Sequence, residues 1–182
     1  MHKNRKLNKG RPGWLRRSSG GGFTLVELMI VVLIMAVAAA VAVPMVSSAG
    51  SMQIRSAVNM VAADLEYAKS LAIGTGQRHC VVFDAANEAY RITNAATGTT
   101  VPHPVKKGFD YVVNFTADGR LDQVNITDVD FDGTGTVSFD YLGSPYNGAA
   151  TALNSGVVTL GAAGVTRTVT VEPVTGFISI SD

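Results

Sequence analysis

The sequence predicts an α+β fold: a long N-terminal α-helix, with a transmembrane half and an amphipathic half, packed on an antiparallel β-sheet. Three observations predict it. Residues 23–43 form a run of 21 almost entirely apolar residues with a single charge, Glu27. Apolar residues then recur at helical spacing as far as Ala72, and beyond residue 74 short alternating runs are separated by turn residues. A helix followed by a series of strands is the element order of an α+β domain.

Charge is distributed unevenly along the 182 residues. The first 22 residues contain seven Lys or Arg and no acid, whereas the remainder carries 8 Lys or Arg against 14 Asp or Glu, a formal charge of −6. Basic segments flanking an apolar helix stay in the cytoplasm, so this asymmetry predicts a cytoplasmic leader and a translocated, mildly acidic body.

The apolar run has the length of a bilayer-spanning helix, which needs about 20 residues. A secretory signal would instead have an apolar region of about 7–15 residues with small residues after it. Here the three glycines, residues 20–22, come before the run. An uncleaved signal anchor would account for the basic flank and the span. It would not account for the glycines or for Glu27, because a carboxylate within a membrane costs about 2.5–3.5 kcal/mol at mid-helix and less near an end.

The segment GFTLVE, residues 22–27, resembles the class III signal of type IV prepilins and type II secretion pseudopilins. The match is specific because it joins a basic leader, a glycine at the cut, the F-T-L-x-E pattern and an apolar helix. The resemblance implies that prepilin peptidase cuts between Gly22 and Phe23 and methylates the new N-terminus at Phe23. Glu27 then corresponds to the acidic fifth residue of the mature chain.

A physical role for Glu27 follows from its position. Cleavage would create an α-amine at Phe23, and Glu27 would lie about one helical turn deeper, roughly 6 Å away. An acid in the first turn is favoured by the helix dipole. In a dry filament core, Glu27 could pair with the amine of a neighbouring subunit and thereby offset its desolvation. We therefore expect Glu27 to direct docking and register; the alternative is an acid tolerated near the membrane interface.

An amphipathic helix is predicted to continue beyond the apolar run, giving one helix of about 75 Å from residue 24 to residue 73. Pro44 and Gly50 are possible kink points in it. Charged residues are expected away from its buried face: Arg55, Asp64, Glu66 and Lys69. The buried face is predicted to consist of Ile54, Val58, Val61, Leu65, Ala68 and Ala72.

Several short strands are predicted after residue 77. Residues 78–83 and 89–93 read as two strands joined by DAANE, and residues 111–127 read as a hairpin about an Asp118-Gly119 turn. Further strands are predicted in TVSFDYL, GVVTL, RTVTVEP and GFISIS, with turns such as GAAG at residues 161–164. Cys80, the only cysteine, is expected to be a buried apolar residue on a strand and excludes an intramolecular disulfide.

The C-terminal part extends the resemblance to the GspH/FimT branch of minor pilins. Its strand series is similar to residues 139–145, to GVVTL and to residues 167–178, and its helix is similar to residues 55–73. The likeness covers nearly the whole mature chain, although the strand motifs are weaker than the N-terminal one. The absence of a cysteine pair departs from many major pilins and favours a minor subunit or pseudopilin.

Other chemistry has little support in the sequence. The segment DVDFDGTG places Asp128, Asp130 and Asp132 in the spacing of a calcium loop, but Phe139 stands where an EF-hand needs Glu. An acidic turn between strands is therefore the favoured reading, with these aspartates as weak metal candidates. Scattered histidines, the lack of a phosphate loop and the lack of a nucleophile elbow predict no cofactor and no catalytic site.

These observations predict a minor pseudopilin or minor type IV pilin, a structural subunit of a pseudopilus or pilus and not an enzyme. The expected parts are a cleaved leader (1–22), a transmembrane segment (23–43), its amphipathic continuation (44–74) and a periplasmic β-rich domain (75–182). Expected partners are prepilin peptidase, other pilin-like subunits, the inner-membrane assembly platform and, before assembly, lipid. A DNA-binding minor pilin is the first alternative, disfavoured because Lys106-Lys107 is the only adjacent basic pair in the body. A membrane-anchored envelope enzyme is the second.

Overall fold

A computed structural model of the chain describes residues 22–181, with the backbone alone for residues 41–49. Apart from Gly22, the predicted leader lies outside the described residues, and the predicted kink at Pro44 falls where side chains are not described. One α-helix, α1, is recorded over Leu25–Thr75. The chain divides into two compact units between Val41 and Ala42. The first unit, as far as it is described, comprises residues 22–41 and so contains the beginning of α1.

The second unit contains the rest of α1 and nine strands among the described residues. These strands are β1 (His79–Asp84), β2 (Ala89–Asn94), β3 (Val112–Asn114), β4 (Asn125–Phe131), β5 (Thr136–Phe139), β6 (Pro145–Asn147), β7 (Gly156–Ala162), β8 (Val165–Val171) and β9 (Ile178–Ser181). They form two antiparallel sheets, in the orders β3-β2-β1-β5-β6 and β4-β7-β8-β9. The predicted α+β class is confirmed, with two sheets in place of one.

The predicted buried face of α1 is also confirmed. Its six residues are at most 1% exposed and belong to one hydrophobic cluster with buried side chains of both sheets. Ala57 joins them, so the helix presents a stripe of small and branched residues against which the sheets close. Buried side chains of both sheets therefore pack in one core with this face of the helix.

The predicted hairpin about Asp118-Gly119 is wrong. β3 pairs with β2 in the first sheet, and β4 pairs with β7 in the second, so the two runs belong to different sheets. Neither Asp118 nor Gly119 has the positive φ that a two-residue hairpin turn of this sequence requires. The intervening segment instead buries Phe115, Leu121 and Val124 in the core, and this burial outweighs the local turn preference.

The hairpin between β7 and β8 has a two-residue turn, because Ala162 pairs with Val165. Both turn residues have positive φ, 50° at Ala163 and 77° at Gly164, as a type I′ turn demands. The turn packs closely on α1: a Cβ built at Gly50 would lie only 2.5 Å from the Cβ of Ala163. Only a glycine at position 50 fits this approach without displacing the turn.

Candidate functional site

The N-terminal segment begins its helix at Thr24. The backbone N–H of Glu27 donates to Oγ1 of Thr24 (3.2 Å), and the N–H of Leu28 donates to its carbonyl oxygen (3.2 Å). Thr24 is therefore the N-cap, and Glu27 occupies the third helical position, in the T-x-x-E spacing that is typical of a capping box. The T-x-x-E spacing of residues 24–27 is a sequence signal for this N-cap, but only Glu27, and not Thr24, was predicted to be functional.

The helical residues after this cap expose apolar side chains on every side. From Leu25 to Val37 the large apolar residues are between 44% (Val31) and 73% (Leu25) exposed, and Phe23 is exposed as well. Glu27 is exposed among them and lies in the first turn. A helix that is apolar on every side is stable only in an apolar environment, so these side chains are suited to contact with lipid or with other protein surfaces.

Among the described residues, no helix combines the length and the apolar composition that crossing a bilayer requires.

A second feature is a carboxylate in the core of the second unit. Asp64 on α1 is 8% exposed, and each of its oxygens accepts a 2.6 Å hydrogen bond from a tyrosine hydroxyl: Tyr90 on β2 and Tyr111 just before β3. Tyr111 is itself sandwiched, with the rings of Tyr67 and His103 stacked at centroid distances of 5.4 and 4.7 Å. The cluster thus ties the helix to one end of the first sheet.

The ionisation of this cluster reflects its burial. Desolvation raises the pKa of Asp64 above its ordinary value, and the hydrogen bonds from Tyr111 and Tyr90 and the field of His103 only partly oppose it. Burial, followed by the nearby carboxylate, raises the pKa values of Tyr90 and Tyr111, so both hydroxyls remain protonated donors. The three side chains of Asp64, Tyr90 and Tyr111 are therefore suited to a structural role in the core.

The expectation that Asp64 lies away from the buried helical face is wrong. It stands between Val61 and Leu65, at the flank of the stripe, and the two tyrosines allow it to be buried. In the sequence, only the position of Asp64 beside the buried apolar stripe could have indicated that its side chain is buried. The partners could not be identified because Tyr90 and Tyr111 are 26 and 47 residues away in the chain.

A cleft of about 510 Å³ opens over this cluster. Its lining includes Met60 and Asp64 of α1, His103 and Lys106 of the loop before β3, all of β3, and residues 117–120. Nδ1 of His103 accepts hydrogen bonds from the N–H groups of Val105 and Lys106, both at 3.2 Å, so the loop is folded around the imidazole. Arg120 pairs with Asp118 at 2.7 Å and is the main cause that lowers the pKa of that carboxyl to about 2.

Two of the three weak calcium candidates, Asp130 and Asp132, accept hydrogen bonds from backbone N–H groups. Oδ1 of Asp130 accepts from the N–H of Gly133 (2.6 Å), and the carboxylate of Asp132 accepts from the N–H groups of Asn154 (2.9 Å) and Ser155 (3.0 Å). Asp128 is exposed on β4. No group of three or more His, Cys, Asp or Glu within the described part of the chain is placed to hold a metal ion. Gly22, Phe23 and Glu27 belong to the first unit, whereas these aspartates and the Asp64 cluster belong to the second.

Comparison with known proteins bears on the N-terminal segment and on the fold. The prokaryotic N-terminal methylation motif matches residues 17–43, which include Gly22, Phe23 and Glu27. No curated protein matches the chain significantly in sequence.

Among solved structures, the minor pseudopilin EpsH from the type 2 secretion system of Vibrio cholerae matches with a TM-score of 0.51 and 12% identity, over 71% of this chain and 96% of that chain. The type IV minor pilin FimU of Pseudomonas aeruginosa matches in two crystal forms, with TM-scores of 0.48 and 0.46 and identities of 15% and 17%. These alignments cover 72% and 70% of this chain and 90% and 92% of the two FimU chains. At such low identity the match to EpsH shows the fold, a helix followed by antiparallel sheets.

Proposed function

We propose that this chain is a minor pilin-like subunit, a structural component of a type II secretion pseudopilus or of a type IV pilus. The observation that carries the proposal is the pairing of the methylation motif at residues 17–43 with a helix whose apolar side chains are exposed all round. Such a helix is suited first to lipid and then to the packed core of a filament, which are the two environments of a pilin. The proposal assigns the chain no enzymatic activity.

In this proposal the chain is processed at its glycine-to-phenylalanine junction. Prepilin peptidase removes residues 1–22, including their seven positive charges, and methylates the amine of Phe23. Before assembly, residues 23–43 anchor the chain in the bacterial inner membrane, residues 44–74 continue the helix, and residues 75–182 lie in the periplasm. Residues 75–182 carry 6 Lys or Arg against 11 Asp or Glu, whereas seven Lys or Arg and no acid lie in residues 1–22, a distribution that agrees with a leader on the cytoplasmic side.

Glu27 then directs assembly. It is the only charged residue between Gly22 and Ile54, and it lies within an apolar surface. Burying that surface against other subunits desolvates the carboxylate, which costs several kcal/mol unless a cation pairs with it. The methylated amine of Phe23 on a neighbouring subunit is a cation of the required sign. Other pilin-like subunits and the inner-membrane assembly platform are therefore the expected partners.

Processing is the direct test. The full chain is expressed in cells with and without an active prepilin peptidase, and its N-terminal peptide is identified by mass spectrometry. We expect N-methyl-Phe23 only with the active enzyme, and we expect Gly22→Val to retain the leader. Gly21→Val is the matched control and should still be cut after Gly22. A leader retained in the unaltered chain, or a cut after Ala42, would contradict the proposal.

A further inference from the structure

The cleft beside the Asp64 cluster follows an unpaired sheet edge. β3 is the outermost strand of the first sheet and pairs only with β2. All three of its residues line the cleft, between α1 on one side and residues 117–120 on the other. Its side towards the cleft is thus available to another strand.

The hydrogen-bond pattern shows which groups face this edge. The N–H of Phe115 donates to Glu88 O (2.9 Å), and the carbonyl oxygen of Tyr111 accepts from Ile92 N (3.2 Å). Bonding to a partner strand alternates along an antiparallel ladder, so Val113 also bonds to β2. The backbone groups of Val112 and Asn114 are consequently directed away from β2. The N–H of Val112 is used within its own turn, by Asp110 O (2.9 Å), which leaves the Val112 carbonyl and the Asn114 N–H for a partner.

The charges around this edge favour an acidic partner. Lys106 and Arg120 line the cleft together with the carboxyl groups of Asp64 and Asp118, in a body whose formal charge is −6. Arg120 is paired with Asp118, whereas Lys106 forms no ion pair within the described residues and only contributes to lowering the pKa of Asp118. A carboxylate brought to Lys106 would therefore gain a cation without breaking an existing ion pair.

Exposed apolar side chains adjoin the same edge. A second groove of about 500 Å³ shares His103, Lys106 and Val112 with the cleft and adds Gly108, Phe109 and the exposed Asp110. Phe109 is 69% exposed and Val112 is 50% exposed. The surface therefore offers backbone groups, a free cation and apolar contacts side by side, the combination that recognises an extended peptide.

We propose that this cleft binds an extended acidic segment of another polypeptide chain, which pairs with β3 and places an Asp or Glu side chain against Lys106. β3 is about 10 Å long at roughly 3.3 Å per residue, so the paired segment is equally short. The binding is accordingly modest, with a Kd on the order of tens of micromolar. The proposal does not depend on the assembly role, since it concerns a surface of the second unit alone.

The test uses the full chain in detergent micelles and a fluorescent peptide with the sequence of residues 125–131, NITDVDF, whose alternating Asp side chains match the proposed occupant. Anisotropy should show saturable binding. The peptide NITNVNF should bind at least about tenfold more weakly, as should NITDVDF to Lys106→Glu. Lys107→Glu is the matched control, because it makes the same charge change at the adjacent residue, which does not line the cleft. It should leave Kd within about twofold of the unaltered chain.

Strand pairing has its own readout. Amide hydrogen exchange at Asn114 should slow when the peptide binds, whereas exchange at Gly98, in a turn that does not line the cleft, should not change. Three results would overturn the proposal. The first is binding of the peptide NITNVNF as strong as that of NITDVDF, and the second is binding that Lys106→Glu and Lys107→Glu weaken equally. The third result is binding that leaves the hydrogen exchange of Asn114 unchanged. Absence of binding would also overturn it while leaving processing at Gly22 and Phe23 untouched, so the two proposals fail separately.

Discussion

The hydroxyl group of Tyr90 donates a 2.6 Å hydrogen bond to the buried carboxylate of Asp64, 26 residues earlier in the chain. This bond joins α1 to β2 through the core and makes a polar pair part of the packing of the second unit. A buried acceptor of this kind stabilises the fold only while its donors remain in place.

Removing the carboxylate should destabilise the protein. Asp64→Ala leaves the hydroxyls of Tyr90 and Tyr111 without their acceptor, at a cost of about 2–4 kcal/mol in the free energy of unfolding. Urea denaturation measures the change, and Glu66→Ala, on the exposed side of the same helix, should stay within about 0.5 kcal/mol. The triple variant Asp64→Leu, Tyr90→Phe, Tyr111→Phe should recover part of the loss. A triple variant less stable than Asp64→Ala would show that the hydrogen bonds are not the cause.

The raised pKa of Asp64 predicts a pH dependence of definite sign. Burial favours the protonated acid, so the native chain binds more protons than the unfolded chain between the ordinary value of 3.8 and the raised native pKa. The stability contributed by Asp64 is fully present below 3.8 and declines as pH rises through the native pKa. The unfolding free energy of the unaltered chain relative to Asp64→Asn should therefore fall over this interval.

The exposed Asp118 provides a comparison of opposite sign. Its hydrogen bonds to Arg120 lower its pKa to about 2, so its contribution is present above 3.8 and is lost as pH falls towards 2. Stability relative to Asp118→Asn should rise with pH over that range, and the change should be small because the pair is exposed to solvent. If the unfolding free energy of the unaltered chain fell with pH relative to both Asp64→Asn and Asp118→Asn, the opposite directions of the two pKa shifts would be contradicted.

Two roles of Glu27 can be separated by substitution. Glu27→Gln keeps a residue that suits the third position of a capping box but removes the charge, whereas Glu27→Val removes both. If Glu27 pairs with a neighbouring amine, both variants should be inserted and processed, and both should enter filaments poorly. Co-purification with other pilin-like subunits measures assembly. Normal assembly of Glu27→Gln together with poor assembly of Glu27→Val would reduce Glu27 to a helix-capping residue.

The contact between α1 and the β7–β8 turn predicts an exception to helix propensity. Gly50→Ala should destabilise, although alanine normally favours a helix by about 1 kcal/mol over glycine, because its Cβ would meet Ala163 at 2.5 Å. Ala163→Gly removes both this obstacle and the cost of alanine at φ 50°, so it should stabilise alone and rescue Gly50→Ala. Thermal unfolding of the single and double variants gives the coupling, expected to exceed about 0.5 kcal/mol. Gly74→Ala, in the same helix with open space around it, should stabilise.

The sequence was sufficient where one short-range pattern decides the structure. The spacing of Ile54, Val58, Val61 and their successors identified the buried helical face because a helix repeats every 3.6 residues whatever it packs against. The strands β1, β2, β7 and β8 were predicted for the same reason, since their alternation and turns are local. The resemblance of residues 22–27 likewise rests on adjacent residues.

Contacts between distant segments account for what was missed. Nothing near Asp64 in the chain indicates that Tyr90 and Tyr111 converge on it, and so the polar cluster and its cleft emerge only from the fold. The Asp118-Gly119 turn was predicted from local preference, which the burial of Phe115 and Leu121 overrides. The short strand β6 was not predicted, because Pro145, its first residue, reads as a turn residue.

The N-cap at Thr24 has a consequence for maturation. The bond between Gly22 and Phe23 lies outside the frame of hydrogen bonds that begins at Thr24, so a cut there removes no group on which the helix depends. If the chain is processed as proposed, the N-cap hydrogen bonds of Thr24 stay in place, and the helix needs no refolding after the cut. In that case the proposed cut changes the charge and the terminus of the subunit and leaves its helix as it was.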